Sequence, residues 1–253
     1  MKKFLLEQSL AVRTFILPEV ESVVKNVIPT YDSVEHYSTN IVNWLMPVID
    51  LSEFYVYPMN GITEGLNWWT GSSEHNIWSE VGEYQWVEHI RNRSHPTFVY
   101  QSVPSAIDGN FKKIINNAPA ALDLAYVGST AIKKLELPSN VKYAFYSLSK
   151  SFGVGNIRTG WFFSKQKDQR LHNLVYGAKY YNYFAHRVAE EIISNFSIDY
   201  VFNKLQHKQK DICNQLNLIP SDSVWLGTTI DPEYSKFRRR DNVARICLAG
   251  VYK

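Results

Sequence analysis

The residues most suited to chemistry lie in Ser147-Leu-Ser-Lys150-Ser-Phe-Gly153-Val-Gly155-Asn-Ile-Arg158-Thr-Gly160-Trp161, where a lysine sits among small residues and an arginine follows eight positions later. A lysine is a nucleophile only when its amine is unprotonated or tied up as a Schiff base. Ser147 and Ser149 supply hydroxyls without bulk, the glycines let backbone come close to a ligand, and Arg158 offers a planar fork suited to a phosphate. The set fits an aldehyde carried on a phosphate handle. A lone Ser-x-Ser-Lys is more often a solvated loop; the arginine eight residues on and the flanking apolar strands favour the ligand reading. Gly153 and Gly155 also open like a dinucleotide fingerprint, but Arg158 stands where the third glycine belongs and no acidic residue follows at the required spacing.

Two further stretches are built to hold an anion and a cation. Phe54-Tyr-Val-Tyr57 reads as a strand that runs through Asn60-Gly61-Ile62-Thr63-Glu64-Gly65 into an apolar helix, and the free amides and dipole of such a helix start favour a phosphate, with Thr63 adding a hydroxyl. Ala118-Pro-Ala-Ala-Leu-Asp123 reads as a buried strand ending in an acid, whose charge needs a partner. Near the C-terminus Arg245 enters an apolar run, Val243-Ala-Arg-Ile-Cys-Leu-Ala249, and a buried arginine needs an anion, either a ligand or an internal ion-pair partner.

The lysine stretch resembles the corresponding motif of the fold type I enzymes that use pyridoxal phosphate, in particular the class I/II aminotransferases: Ser-x-Ser-Lys, Phe-Gly, then Arg before Gly-Trp. The resemblance covers roughly residues 55–250 and is densest over 120–165. It implies that Lys150 forms the Schiff base, that Ser147 and Arg158 bind the phosphate, and that Ile62 and Thr63 complete its cup. It also implies that Asp123 pairs with the pyridinium nitrogen, Tyr126 bonds the phenolic oxygen, and Arg245 takes the substrate α-carboxylate. Tyr84, in Gly82-Glu-Tyr-Gln-Trp86, is implied to stack on the ring, with Trp86 as the neighbour that could serve instead. The sequence departs from the family at Ser102-Val-Pro104, where the usual asparagine before proline is absent.

The fold implied is α/β, a mostly parallel mixed sheet flanked by helices, divided into an N-terminal arm or helical segment (1–50), a large cofactor domain (51–190) and a reduced C-terminal subdomain (191–253). The activity implied is transfer of an amino group from an amino acid to a 2-oxo acid by a homodimer. β-Elimination, racemisation, decarboxylation or a non-catalytic cofactor-binding role on the same scaffold are the alternatives. The N-terminal fifty residues leave open whether they pack on a partner subunit or on the same core. The Tyr176–Tyr183 cluster is equally a pocket lining or an interface.

Composition limits the other classes. A chain of 253 residues with 45% hydrophobic content can bury a sizeable core. A net charge of +3 argues against nucleic acid, and Arg238-Arg-Arg240 reads as a solvated face. Cys213 and Cys247 lack metal or disulfide spacing, so a reducing cytoplasm is expected. The histidines, His89 and His95 among them, show no metal-ligand pattern. Met-Lys-Lys-Phe-Leu-Leu opens like a secretion signal, but Glu7, Gln8 and Arg13 interrupt it. No stretch reaches the ~18 apolar residues of a membrane span.

Overall fold

The computed structural model describes residues 12–71, 76–90, 97–240 and 242–252, the side chains of 88–90 apart. The first eleven residues, where a leader was weighed, His95 and the side chain of His89 lie outside that set. A six-stranded sheet is built from β1 (Tyr55–Met59), β2 (Ile77–Ser79), β3 (Phe98–Ser102), β4 (Ala120–Asp123), β5 (Val141–Tyr146) and β6 (Gly160–Ser164), in the order β1-β6-β5-β4-β3-β2. The pairs from β2 through β5 are parallel, and β6 runs antiparallel to both neighbours. This is the mixed α/β sheet expected from sequence. The strands are short and buried on both faces, as in Ala-Ala-Leu-Asp of β4, because helices cover each side.

Helices α1 (Pro18–Lys25) and α2 (Val34–Leu45) each present an apolar stripe. Pro18 sits in the first turn of α1, and the Ser33 hydroxyl caps α2 by accepting from the His36 amide at 3.2 Å. Val20, Ile41 and Leu45 are buried in the main core and both helices pack on α7 (Tyr183–Asn195), so residues 18–45 form a helical layer on the chain's own core. Helix α3 (Ile62–Gly71) follows β1 directly, α4 (Gln85–Ile90) precedes β3, and the one-turn α5 (Leu148–Ser151) carries Lys150 off the end of β5. Helix α6 (Gln169–His172), capped by Asp168, continues as a π turn over 173–177, and α7 begins at Tyr183, four residues before the helical run read from sequence.

The last part of the chain is α8 (Tyr200–Leu216) and a second, antiparallel sheet ordered β7 (Ile219–Pro220), β8 (Leu226–Thr229), β10 (Val243–Cys247), β9 (Arg238–Arg240). Gln209 of α8 ties the turn into β8 together by donating to three carbonyls, those of Ser221, Ser223 and Leu226, at 2.8–3.0 Å. Ser129 meets Ser223 at 2.8 Å and the Ser221 hydroxyl donates to the Asp108 carbonyl at 2.5 Å, which fixes the second sheet against the loops at the end of the first. Arg245 thereby comes to the same end of the molecule as Asp123 and Lys150. No helix among the described residues is long and apolar enough to cross a membrane.

Candidate active site

A cavity of about 490 Å³ opens where β1, β4 and β5 end. Its walls bring together Ile62 and Thr63 from the start of α3, Tyr84 before α4, Asp123 and Tyr126 after β4, Ser147 and Lys150 at α5, and Arg158 before β6. These are eight of the nine residues singled out from sequence, drawn from almost a hundred positions of chain. The strand ends of an open α/β sheet are the expected place for a ligand.

Each side chain is held by its own local structure. Ser147 caps α5, accepting from the Ser149 amide at 3.3 Å, and so aims the helix and Lys150 into the cavity. The Lys150 amine donates to the Val12 carbonyl at 2.5 Å. Burial is the largest influence lowering its pKa, helped by the charges of Arg245 and Arg158 and opposed by Cys247 and Asp123. Asp123, 4% exposed, is pushed up by burial, against which the Tyr100 hydroxyl and the Ala125 amide act by donating to its two oxygens, the latter at 2.8 Å. The hydroxyls of Tyr84 and Thr63 lie 3.0 Å apart, which ties together two walls of the cavity.

Arg158 has a left-handed backbone, φ 63°, and its guanidinium spans the Asn60 carbonyl at 3.0 Å and the Gly155 carbonyl at 3.4 Å. Gly61 makes this possible. Its φ is +89°, and a Cβ there would stand 2.7 Å from Arg158 Nη2. Gly61→Ala is therefore expected to cost about 1–2 kcal/mol from the backbone conformation alone and to push the guanidinium off the Asn60 carbonyl. A denaturant midpoint equal to the parent's would refute the strain.

Arg245 is placed differently from the other eight. It is 7% exposed and does not line the cavity; its Nη1 donates to the carbonyl of Ala106, which does. Its charge still acts on Tyr126 and Lys150. At the position before Pro104, Val103 is fully buried and offers no side-chain donor, so the departure noted in the sequence holds in three dimensions.

Two parts of the site escape sequence reading. Residues 12–14 form one wall, with Thr14 donating to the Ser149 carbonyl at 3.0 Å, and a Cβ on Gly153 would collide with the Phe15 carbonyl, so this segment lies flat on the lysine loop. Its only signal in the sequence is the glycine with which it makes contact. The other is Glu83, buried beside Tyr84 and bonded to Ser102. No set of three or more His, Cys, Asp or Glu residues that could hold a metal occurs among the described residues.

No protein-family model matches the chain, and no curated protein sequence does. Solved structures do. The L-threonine-O-3-phosphate decarboxylase of Porphyromonas gingivalis superposes with a TM-score of 0.65 at 15% identity, over 95% of both chains. The histidinol-phosphate aminotransferase of Sinorhizobium meliloti, in complex with pyridoxal-5'-phosphate, gives 0.64 at 14% identity over 94% of this chain and 84% of its own. The chain has the fold of the fold type I pyridoxal-phosphate enzymes. A third example of that fold, the PLP-bound C-S lyase of Staphylococcus hominis, gives 0.69 at 11% identity over 94% and 86%. The fold therefore accommodates decarboxylation, amino transfer and C–S cleavage in proteins similar to this one, and the reaction must be argued from side chains.

Proposed function

We propose that the chain is a pyridoxal-phosphate-dependent aminotransferase that moves an amino group from an amino acid to a 2-oxo acid. The observation that carries this reading is the meeting of a half-buried lysine, a buried carboxylate and a hydroxyl–guanidinium anion cup in one cavity. The residues fit the cofactor. Thr63, Ser147 and Arg158, with the amides of Ile62 and Thr63 at the α3 N-terminus, suit a phosphate, and Gly61 leaves the guanidinium its room. The buried Ser149 hydroxyl has no partner among the described residues and is free to meet a ligand atom. Asp123 faces the cavity with its lone pairs anchored by Tyr100 and Ala125, as an acceptor for a protonated ring nitrogen requires.

When bound, the cofactor supplies an electron sink for the substrate carbon. The protein supplies the rest. Lys150 would hold the cofactor through its Nζ, and that same nitrogen, when free, would take the substrate's Cα proton. Burial favours its neutral, basic form. Asp123 keeps a proton on the ring nitrogen. Tyr84 covers one ring face and excludes water, and Tyr126 donates to the phenolic oxygen, a role that falls more heavily on it because Val103 cannot share it.

Arg245 is assigned to the substrate carboxylate, which must draw its guanidinium off the Ala106 carbonyl. A lysine cannot reproduce a two-pronged contact, so Arg245→Lys is expected to lose roughly 2–5 kcal/mol of substrate interaction while the cofactor stays bound. Amines without a carboxylate should be affected much less. Equal treatment of amino acids by variant and parent would make Arg245 a structural residue that braces Ala106.

The reaction class is tested by turnover of amino donors with and without a 2-oxo acid. Amino transfer needs the acceptor to sustain turnover; elimination, racemisation and decarboxylation do not. Sustained product without acceptor would assign one of those reactions to the same site. The further proposals are a homodimer, with small-molecule substrates only, in the cytoplasm, and a reduced C-terminal subdomain over residues 191–253.

A further inference from the structure

The most buried acid that the mechanism leaves unused is Glu83, 2% exposed, one residue before Tyr84. Both its oxygens are taken by one residue: the Ser102 amide donates to Oε1 at 3.2 Å and the Ser102 hydroxyl to Oε2 at 2.6 Å. Ser102 ends β3 directly opposite Asp123 in the parallel register with β4, and Tyr100 is two residues earlier on the same face of β3. Tyr100, wholly buried, donates its hydroxyl proton to Asp123 Oδ2. The carboxyl groups of Glu83 and Asp123 are thus neighbours at the strand ends, Glu83 bound to Ser102 and Asp123 standing beside Ser102 in the sheet and facing the cavity.

We propose that Glu83 is a positioning residue for Asp123, and that its charge, held by Ser102 beside Asp123, sets how firmly the Asp123 carboxylate holds the ring nitrogen's proton. The inference rests on the cofactor reading above. Its basis is that the Glu83–Ser102 pair, 2.6 Å apart between Oε2 and the hydroxyl, admits two orders of hydrogens. With Glu83 ionised, the Ser102 proton points to Glu83 and two negative charges stand behind the ring nitrogen. With Glu83 protonated, its own O–H donates to the Ser102 hydroxyl, and Asp123 is left as the sole negative charge behind the ring nitrogen. Burial pushes Glu83 up to about 7, the nearby Asp123 adds to the rise, and the Ser102 donors and Lys112 oppose it. Lys112 is itself shared with Asp108 at 3.3 Å and Glu80 at 3.8 Å, and Lys150 faces Asp123 from the cavity side. The switch between the two orders therefore falls near neutral pH.

Two measurements on the full chain test this. Without cofactor, the folded state binds a proton at Glu83 more tightly than the unfolded chain does, so stability falls as pH rises from about 4.5 to about 7. In Glu83→Gln, which retains the Ser102 contacts as a mimic of the protonated acid, that fall should shrink to the part carried by Asp123, whose carboxyl burial also pushes up. In Asp123→Asn the same fall should end about one pH unit lower, because a negative neighbour is gone. With pyridoxal phosphate labelled with ¹⁵N in the ring, the nitrogen resonance of the parent should change with an inflection near pH 7 and stay at the parent's low-pH value across that range in Glu83→Gln. An inflection that persists in Glu83→Gln, or a stability profile in Asp123→Asn that ends where the parent's does, overturns the proposal. If the parent binds no cofactor, the cofactor reading fails, and the cofactor-free profiles still decide whether the two carboxyls are coupled.

Discussion

Asp123→Ala is expected to bind pyridoxal phosphate and to turn over amino acids about 10²–10³-fold more slowly, the usual loss when one preorganised electrostatic partner of a reacting group is removed. The structure also predicts what happens to the protein. The Tyr100 hydroxyl and the Ala125 amide both donate to this carboxylate, and stranding a buried donor costs about 1–3 kcal/mol. Part of that cost is returned, because burial opposes the ionised carboxylate and Ala has no charge to desolvate. Asp123→Asn separates the two effects, since its oxygen can accept from one of the donors while its charge is gone. It should be nearly as slow as Asp123→Ala and closer to the parent in thermal stability. Unchanged kcat in either variant would remove Asp123 from the site.

Lys150→Ala should abolish turnover to within the assay's reach, a loss of at least about 10⁴-fold, because the residue both anchors the cofactor and moves the proton. Its effect on stability should be small or favourable. The half-buried amine lies against the Val12 carbonyl, and partial burial already lowers its proton affinity, so removing it relieves a desolvation cost. Exogenous small amines should restore part of the proton transfer and none of the covalent attachment. A Lys150→Ala protein that keeps more than a few per cent of parental kcat would place the reacting lysine elsewhere.

The parts of this site that were legible in sequence are those whose signal is local. Lys150, Ser147 and Arg158 share one loop, and Thr63 follows a strand-turn-helix start whose residues are contiguous. Asp123 could be read because a four-residue apolar strand ending in an acid is unusual enough to need an explanation. The parts that were not legible depend on contacts between distant segments. The Lys150 amine meets the Val12 carbonyl across 138 positions, and nothing in residues 12–17 has a pattern that announces such a partner. Glu83 stands beside Tyr84 with no pattern around it that marks it as buried; in the fold its carboxyl meets Ser102 at the end of β3. Arg245 was readable as a buried arginine in a strand. The register of β10 in the second sheet, which decides that its guanidinium meets the Ala106 carbonyl, was not.

The central claim is that Lys150 carries pyridoxal phosphate, and one measurement addresses it directly. The purified protein is incubated with pyridoxal phosphate, reduced with borohydride, digested and mapped by mass spectrometry. The account predicts a single phosphopyridoxyl mass increment on the peptide that contains Lys150, and loss of the visible absorbance on reduction. A label spread over surface lysines, a label on another single lysine, or no label at all would contradict it.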